Sequence, residues 1–144
     1  MRLIGKVVSL FISVKGVAKR VEQSVIEVTT EGVVGDKFYA KETDRSVLIT
    51  SVESYQLATN KDITIEYGEL GENILIDYNP YVLPLGSQIV IGEVILEITQ
   101  NCTLCKSLTK IDNKLPKLLK DDRGVFAKVI KGGNIAQASS IKII

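Results

Sequence analysis

The chain of 144 residues contains neither histidine nor tryptophan. Catalysis that uses histidine as a general base, as in serine–histidine and cysteine–histidine pairs, is therefore excluded. A mononuclear zinc site is disfavoured, because zinc usually takes four protein ligands and the thiols of Cys102 and Cys105 are the only histidine- or cysteine-type ligands present. Any chemistry is expected to use a thiol, a carboxylate or the backbone.

Two cysteines are too few for the disulfide framework of a small secreted protein, so we expect a reducing, cytoplasmic environment. The amino-terminal segment has a basic start and an apolar stretch at residues 7–14, which suits a signal peptide or a buried strand, although it has no small-residue cleavage site. No apolar run approaches the about 18 residues of a membrane helix, so no membrane partner is predicted. The net charge of +1 predicts no nucleic-acid partner.

The length fits one domain over residues 1–144. Alternating β-branched runs predict about eight strands, the first at residues 3–14 and another at 124–130. Gly5 in the first strand indicates a bulge or a close backbone approach, and turns are predicted at Gly92-Glu93, as a hairpin, and at residues 132–134. A capping box of Thr50 and Glu53 predicts a helix over residues 51–58, and a break before Pro116 divides a later helical pattern into two short helices. This balance predicts a mainly β fold class, a β-barrel or closed sandwich with two or three short helices.

The stretch at residues 97–106, EITQNCTLCK, holds both cysteines just past a predicted strand. If Leu104, Leu108 and Ile111 form one face of a helix, Cys105 lies in its first turn, where the helix dipole favours a thiolate below the free pKa of about 8.5. The other interpretation, a small buried hydrophobic residue, suits Cys102 better. A plain CxxC thiol–disulfide protein is disfavoured, because a thioredoxin-like βαβ context is missing.

Other polar segments have two interpretations each. The loop at residues 15–20 is either an anion site or a solvated loop, and the GVVGD segment at residues 32–36 is either a backbone anion cradle or a turn that Asp36 caps. Glu72 and Asn73 stand where a loop enters a strand, a position typical of turn formers. Arg123 is either a ligand-binding cation or part of a surface salt bridge with Asp121 or Asp122.

Six segments in order resemble the MOSC domain, the module named for the carboxy-terminal part of molybdenum-cofactor sulfurases. They are KGVAKR, GVVGD, Arg45 before an apolar strand, LGENI, a strand ending in TQNCTLC, and RGVFAKVIKGG. The resemblance extends over residues 15–142. It implies a β-barrel-rich fold with one reactive cysteine, at Cys105.

The resemblance also implies two functions. In the first, Cys105 ligates the molybdenum of a pterin cofactor in a reductase of N-hydroxylated compounds. In the second, Cys105 is the nucleophile of a metal-free sulfur carrier, which accepts a persulfide from a cysteine desulfurase and which Cys102 resolves as a disulfide. For the cofactor, the following residues are the predicted binding set: Lys19, Arg20, Gly35, Asp36, Arg45, Glu72, Asn73 and Arg123.

This chain departs from the family pattern at Phe38, where the family commonly has histidine. An aromatic ring there packs or stacks but transfers no proton. The reductases also depend on electron-transfer partners, and no iron–sulfur or flavin motif is present in this chain. Either a cysteine desulfurase or an electron-transfer protein is therefore the expected partner.

Overall fold

The computed structural model of the chain describes residues 1–103 and 106–144. Leu104 and Cys105, the predicted helix start, lie outside the described residues. The strands are β1 (Arg2–Ile12), β2 (Val21–Gln23), β3 (Val25–Thr29), β4 (Gly32–Val33), β5 (Val47–Ser51), β6 (Ile74–Ile76), β7 (Gln88–Ile91), β8 (Val94–Asn101), β9 (Val125–Lys131), β10 (Gly133–Ala136) and β11 (Ser140–Ile143). The helices are α1 (Val52–Asn60), α2 (Lys106–Ile111) and α3 (Leu115–Leu118), with short 3-10 turns at Thr43–Arg45 and Pro80–Val82.

Within the described part of the chain, seven strands close into a barrel in the order β11-β7-β8-β9-β5-β6-β1, because β1 also pairs with β11. The β5–β6 pair is parallel, and the other pairs around the barrel are antiparallel. β2 extends the sheet beside β1, and β10, β3 and β4 form a separate three-stranded sheet. The predicted mainly β fold, a barrel with short helices, is thus confirmed.

Apolar side chains of the strands fill the barrel, and Leu10, Ile49, Ile74, Leu96 and Ile98 are fully buried. A second apolar cluster packs outside the barrel, where Tyr55 and Ala58 of α1 meet Leu108 of α2 and Leu115 of α3. This cluster buries one face of each helix, which short helices need because their intrinsic stability is marginal. No helix among residues 1–103 and 106–144 is both long and apolar enough to cross a lipid bilayer.

Several local predictions are confirmed. Gly5 lies at a register shift of the β1–β11 ladder, and a Cβ there would be 2.5 Å from Oδ1 of Asp77. The β7–β8 hairpin turns at Gly92-Glu93, with φ of 61° at Gly92. The break before Pro116 separates α2 from α3, and Pro116 lies in the first turn of α3. Proline is tolerated in that turn because its missing N–H has no partner there.

Two predictions are wrong in detail. The cap of α1 is Ser51, whose Oγ accepts from Glu53 N at 3.1 Å, because the hydroxyl of Thr50 donates instead to Arg123 O at 3.0 Å. The predicted turn at residues 132–134 is shorter than expected, since Gly133 already begins β10 and pairs with β3. β2 and β4 were not predicted, because runs of two or three residues have too few side chains to show alternation.

Candidate functional site

A cavity of about 640 Å³ lies at one end of the barrel. Its walls come from the segment that follows β1, the segment between β4 and β5, the loop before β6, and the chain just after β8 and before β9. We call residues 66–71, the part of the β6-side loop that lines the cavity, the wall loop. Ligand sites often form where several loops converge at the end of a barrel, because a rigid scaffold then positions side chains from distant segments.

Six of the eight predicted cofactor-binding residues line this cavity: Lys19, Arg20, Asp36, Arg45, Asn73 and Arg123. The other two do not. Gly35 precedes Asp36 with φ of 85°, and Glu72 is fully buried behind the wall loop. Cys105, the predicted metal ligand and nucleophile, lies outside the described residues. Cys102 does line the cavity.

The cavity lining is rich in charge. Its cationic side chains are Lys19, Arg20, Lys37, Lys41, Arg45 and Arg123, and its acidic side chains are Asp36, Glu42, Glu66 and Glu69. The six cations exceed the four acids, so these lining residues have a net charge of +2, while the chain as a whole has +1. Fixed cations in a partly enclosed space attract an anionic ligand more strongly than the same cations on an open surface.

Asp36 joins three segments at the cavity floor. Its Oδ1 accepts from Ser13 N at 2.7 Å and from Nδ2 of Asn73 at 3.3 Å, and its Oδ2 accepts from Phe38 N at 3.0 Å. Nη1 of Arg20 lies 3.5 Å from the same Oδ1. The turn-capping interpretation of Asp36 is therefore confirmed by its bond to Phe38, and the carboxylate also orients Arg20.

The side chain of Asn73 also joins separate segments through hydrogen bonds. Its Oδ1 accepts from Leu48 N at 3.1 Å, while its Nδ2 donates to Phe11 O at 3.2 Å and to Asp36. Only 5% of this side chain is exposed. Because these bonds occupy both amide protons, Asn73 holds β1, β5 and the Asp36 turn together.

Arg20 and Arg123 approach each other across Gly71. A Cβ on Gly71 would lie 3.7 Å from Nη2 of Arg123 and 3.9 Å from Nε of Arg20, and Gly71 itself has φ of 90°. Burial lowers the pKa of Arg20, and the positive charge of Arg123 acts in the same direction, while Asp36 and Glu72 oppose the shift. The two guanidiniums repel each other at this distance. An anion bound between them, beside Gly71, offsets that repulsion and is therefore favoured.

Arg123 is only 6% exposed, and its Nη2 donates to Leu70 O at 3.1 Å. The interpretation of Arg123 as part of a surface salt bridge is therefore wrong. The sequence could not show this, because the neighbouring Asp121 and Asp122 suggest an exposed turn. The burial arises from the wall loop, which lies 53 residues earlier in the chain.

Tyr55 and Glu72 form a buried pair behind the wall loop. The Tyr55 hydroxyl lies 2.8 Å from Oε1 and 2.6 Å from Oε2 of Glu72 and donates to this carboxylate. Burial raises the pKa of Glu72, although the Tyr55 bond, the N–H of Gly68 and the charge of Arg20 counteract the shift. Burial also raises the pKa of Tyr55, and the charge of Glu72 raises it further. The phenol therefore stays protonated and acts as a donor.

Cys102 belongs to a small apolar cluster with Leu48 and Phe126 at the cavity edge. Its thiol is free and only 3% exposed, which confirms the interpretation of Cys102 as a small buried hydrophobic residue. The guanidinium of Arg45 lies 4.6 Å from the centroid of the Phe126 ring, a cation–π geometry. Nε of Arg45 is buried and has no hydrogen-bond partner within the described part of the chain.

Sequence reasoning missed several lining or supporting residues: Lys37, Lys41, Tyr55, Gly71 and Phe126. Lys37 directly follows the GVVGD segment, so an extension of that motif could have found it. Tyr55 lies in the helix predicted over residues 51–58, and no local pattern could have revealed the phenol's bonds to a loop 13 to 15 residues later.

The described residues do not form a metal site on their own, since nowhere among them do three histidine, cysteine, aspartate or glutamate side chains cluster. They do fit the anionic tail of a pterin cofactor. The fit rests on the two guanidiniums around Gly71 and on the space that its missing side chain leaves. The metal-binding part of the prediction depends on Cys105.

Fold and site together define a class of small, closed β-barrel domains with a cationic cavity at one barrel end. The sequence profile of the MOSC domain matches residues 16–142, which is most of the chain. The chain therefore belongs to the MOSC domain family, the domain type of molybdenum-cofactor sulfurases. No curated protein matches the chain.

Solved structures share the fold. The YuaD protein of Bacillus subtilis aligns with a TM-score of 0.87 at 17% identity and covers 99% of this chain and 97% of its own. YiiM of Escherichia coli aligns with a TM-score of 0.72 at 16% identity, over 100% of this chain and 70% of its own. YiiM of Geobacillus stearothermophilus has a TM-score of 0.71 at 15% identity, over 99% and 74%. These likenesses concern the fold alone.

Proposed function

We propose that the chain binds a molybdenum–pterin cofactor in the cavity and acts as an oxidoreductase that reduces N-hydroxylated compounds. The observation that carries the proposal is the convergence of Arg20 and Arg123 on Gly71 inside a cavity of about 640 Å³. Planar guanidiniums pair with phosphate in a bidentate manner, and a pterin cofactor has a phosphate tail. The volume lies in the range of small-molecule and cofactor sites.

The chain's own residues have distinct roles in this proposal. Arg20 and Arg123 bind the phosphate, and the side chain of Lys19 adds positive charge at the cavity mouth. Asp36 and Asn73 position Arg20 and the strand ends, since their hydrogen-bonding groups are engaged with protein atoms. The N–H groups that flank Gly35, those of Val34 and Asp36, donate to Glu27 O and Val33 O, so this turn places Asp36 and leaves the anion to the side chains. Phe38, half exposed at the rim, packs against a flat ring or the partner.

Cys105 is assigned as the metal ligand by the family resemblance, since a thiolate is a soft ligand suited to molybdenum. When bound, the metal supplies the two-electron reduction. An electron-transfer partner is required, because the sequence contains no flavin or iron–sulfur motif.

The test is the molybdenum and pterin content of the protein purified from a host that makes the cofactor. We expect near-stoichiometric metal in the wild type, its loss in Cys105→Ala and its retention in Cys102→Ala, the matched thiol control. Arg20→Gln should lower the pterin content, whereas Arg2→Gln on the exposed end of β1 should not. A wild type without metal or pterin would refute the proposal.

A metal-free persulfide carrier is the second candidate, favoured by the thiol of Cys102, which lines the cavity three positions before Cys105. The Cys105 thiolate would attack the outer sulfur of the desulfurase persulfide, and the desulfurase cysteine would leave as a thiolate. Cys102 would then attack the inner sulfur of Cys105, forming a disulfide and expelling hydrosulfide, and a thiol reductant would restore both thiols.

Mass spectrometry distinguishes this candidate. After incubation with a cysteine desulfurase and cysteine, Cys102→Ala should accumulate a gain of one sulfur atom on Cys105. The wild type should accumulate less of this persulfide, because Cys102 converts it into a disulfide. No sulfur on Cys105 in either protein would exclude carriage.

A further inference from the structure

The wall loop has no strand or helix of its own and depends on contacts with other segments. Inside the loop, Glu69 N donates to Glu66 O at 3.1 Å and Gly71 N donates to Gly68 O at 2.9 Å. These local turns do not attach the loop to the barrel. Its polar attachment to the rest of the protein comes through Tyr55, Glu72 and Arg123, and the side chain of Leu70 packs in the second apolar cluster.

Tyr55 is the main attachment point. Its hydroxyl oxygen accepts from Gly68 N at 2.9 Å and from Leu70 N at 3.3 Å while its proton goes to Glu72. Its ring also meets the ring of Tyr67 edge to face, with centroids 5.0 Å apart. One side chain of α1 thus contacts three positions of the loop that forms one side of the cavity.

The same loop connects Tyr55 to the two arginines. Leu70 O accepts from Nη2 of Arg123 at 3.1 Å, and Gly71 lies against the guanidiniums of both Arg123 and Arg20. Glu72, directly after the loop, interacts electrostatically with Arg20. A displacement of the wall loop therefore moves Arg123 and changes the space between the two guanidiniums.

We propose that Tyr55 and Glu72 are positioning residues for the anion site, Tyr55 by fixing the wall loop and Glu72 by placing a buried, ionisable carboxyl group behind Arg20. The inference rests on the anionic ligand proposed above. Neither residue lines the cavity, so their effect is exerted through Gly71 and the arginines.

The carboxyl group makes anion binding depend on pH. An ionised Glu72 competes with a bound anion for the positive charge of Arg20, so affinity falls as pH rises through the pKa of Glu72, which burial raises. Tyr55, Arg20 and Tyr81 are the other ionisable groups that interact with Glu72, and Arg123 reaches it through Leu70. Tyr55 and Tyr81 stay protonated between mildly acidic and neutral pH, because burial raises the pKa of each phenol.

The experiment measures binding of inorganic sulfate to the full chain by calorimetry at low ionic strength. Sulfate remains fully ionised across mildly acidic and neutral pH, so changes in affinity report on the protein. Tyr55→Phe should weaken binding about tenfold, because Leu70 N loses its acceptor and the loop shifts. Tyr81→Phe is the matched control, a buried tyrosine whose hydroxyl bonds Ser51 and Ser54 instead of the wall loop.

Glu72→Gln keeps an acceptor oxygen for Tyr55 and removes the charge, so its affinity for sulfate should fall less steeply with pH than that of the wild type. A purely structural role for Glu72 would leave the pH profile unchanged. The pH dependence of sulfate affinity also tests the inference if Tyr55→Phe fails to fold. The same dependence in Glu72→Gln as in the wild type overturns the inference. Equal losses in Tyr55→Phe and Tyr81→Phe, or no sulfate binding by the wild type, overturn it as well.

The outcomes are separable from those of the proposed function. A wild type that lacks molybdenum but shows the sulfate pattern retains the positioning pair and loses the cofactor assignment. If the wild type contains molybdenum and Tyr55→Phe binds sulfate as well as Tyr81→Phe does, the cofactor assignment is retained and the positioning role of Tyr55 is lost.

Discussion

Replacing Asn73 with alanine should cost about 3 kcal/mol of the free energy of unfolding. The substitution leaves the buried Leu48 N–H without its acceptor, which costs about 1–3 kcal/mol, and it removes the bonds to Phe11 and Asp36, each with a net value of about 0.5–1.5 kcal/mol. In urea, a dependence of about 1.5 kcal/mol/M converts this loss into a midpoint lower by about 2 M.

The control is Asn134→Ala. Asn134 is exposed on β10, and within the described part of the chain its side chain has no hydrogen-bond partner, so its replacement should change stability by less than about 0.5 kcal/mol. Both proteins are unfolded in urea at neutral pH and followed by circular dichroism. Similar midpoints for the two variants would refute the view that Asn73 holds β1, β5 and the Asp36 turn together.

Three further outcomes are expected. Gly132→Ala places a Cβ 2.5 Å from Val28 O in β3 and should destabilise the chain by about 3 kcal/mol in thermal unfolding. An unchanged Tm would contradict this close approach of Gly132 to β3. Because the folded-state pKa of Glu72 is raised above its ordinary value of 4.5, the wild type should lose stability as pH rises above about 4.5, and Glu72→Gln should lack this component when urea unfolding is repeated across pH. Cys102→Ser should unfold at lower urea than Cys102→Ala, because the hydroxyl enters an apolar cluster at a cost of about 1–3 kcal/mol; the reverse order would show that the site is polar.

The strands with strong alternation were predictable from sequence. The run predicted at residues 3–14 corresponds to β1 (Arg2–Ile12), and the run predicted at 124–130 corresponds to β9 (Val125–Lys131). The short β10 was not predictable, because its Gly133 and Asn134 favour turns. Pairing with β3 across the second sheet determines its conformation instead.

The candidate site was predictable as a set of residues but not as an arrangement. Arg20, Asp36 and Asn73 came from the family resemblance. The bond from Ser13 N to Asp36 joins residues 23 positions apart, and the bond from Leu48 N to Asn73 joins residues 25 positions apart. No local sequence pattern predicts either bond. The division between residues that face the cavity and those that support it, such as Tyr55, arises only from tertiary packing.

The pairing of β1 with β11 brings Arg2 beside Ile143, at opposite ends of the chain. Barrel closure therefore requires contacts of very high sequence separation, and chains with high contact order fold slowly for their size. The groups around the cavity come from segments spread between Ser13 and Phe126, so they converge only when this closure has occurred. Acquisition of ligand-binding capacity during refolding should consequently follow the slowest kinetic phase rather than the early collapse.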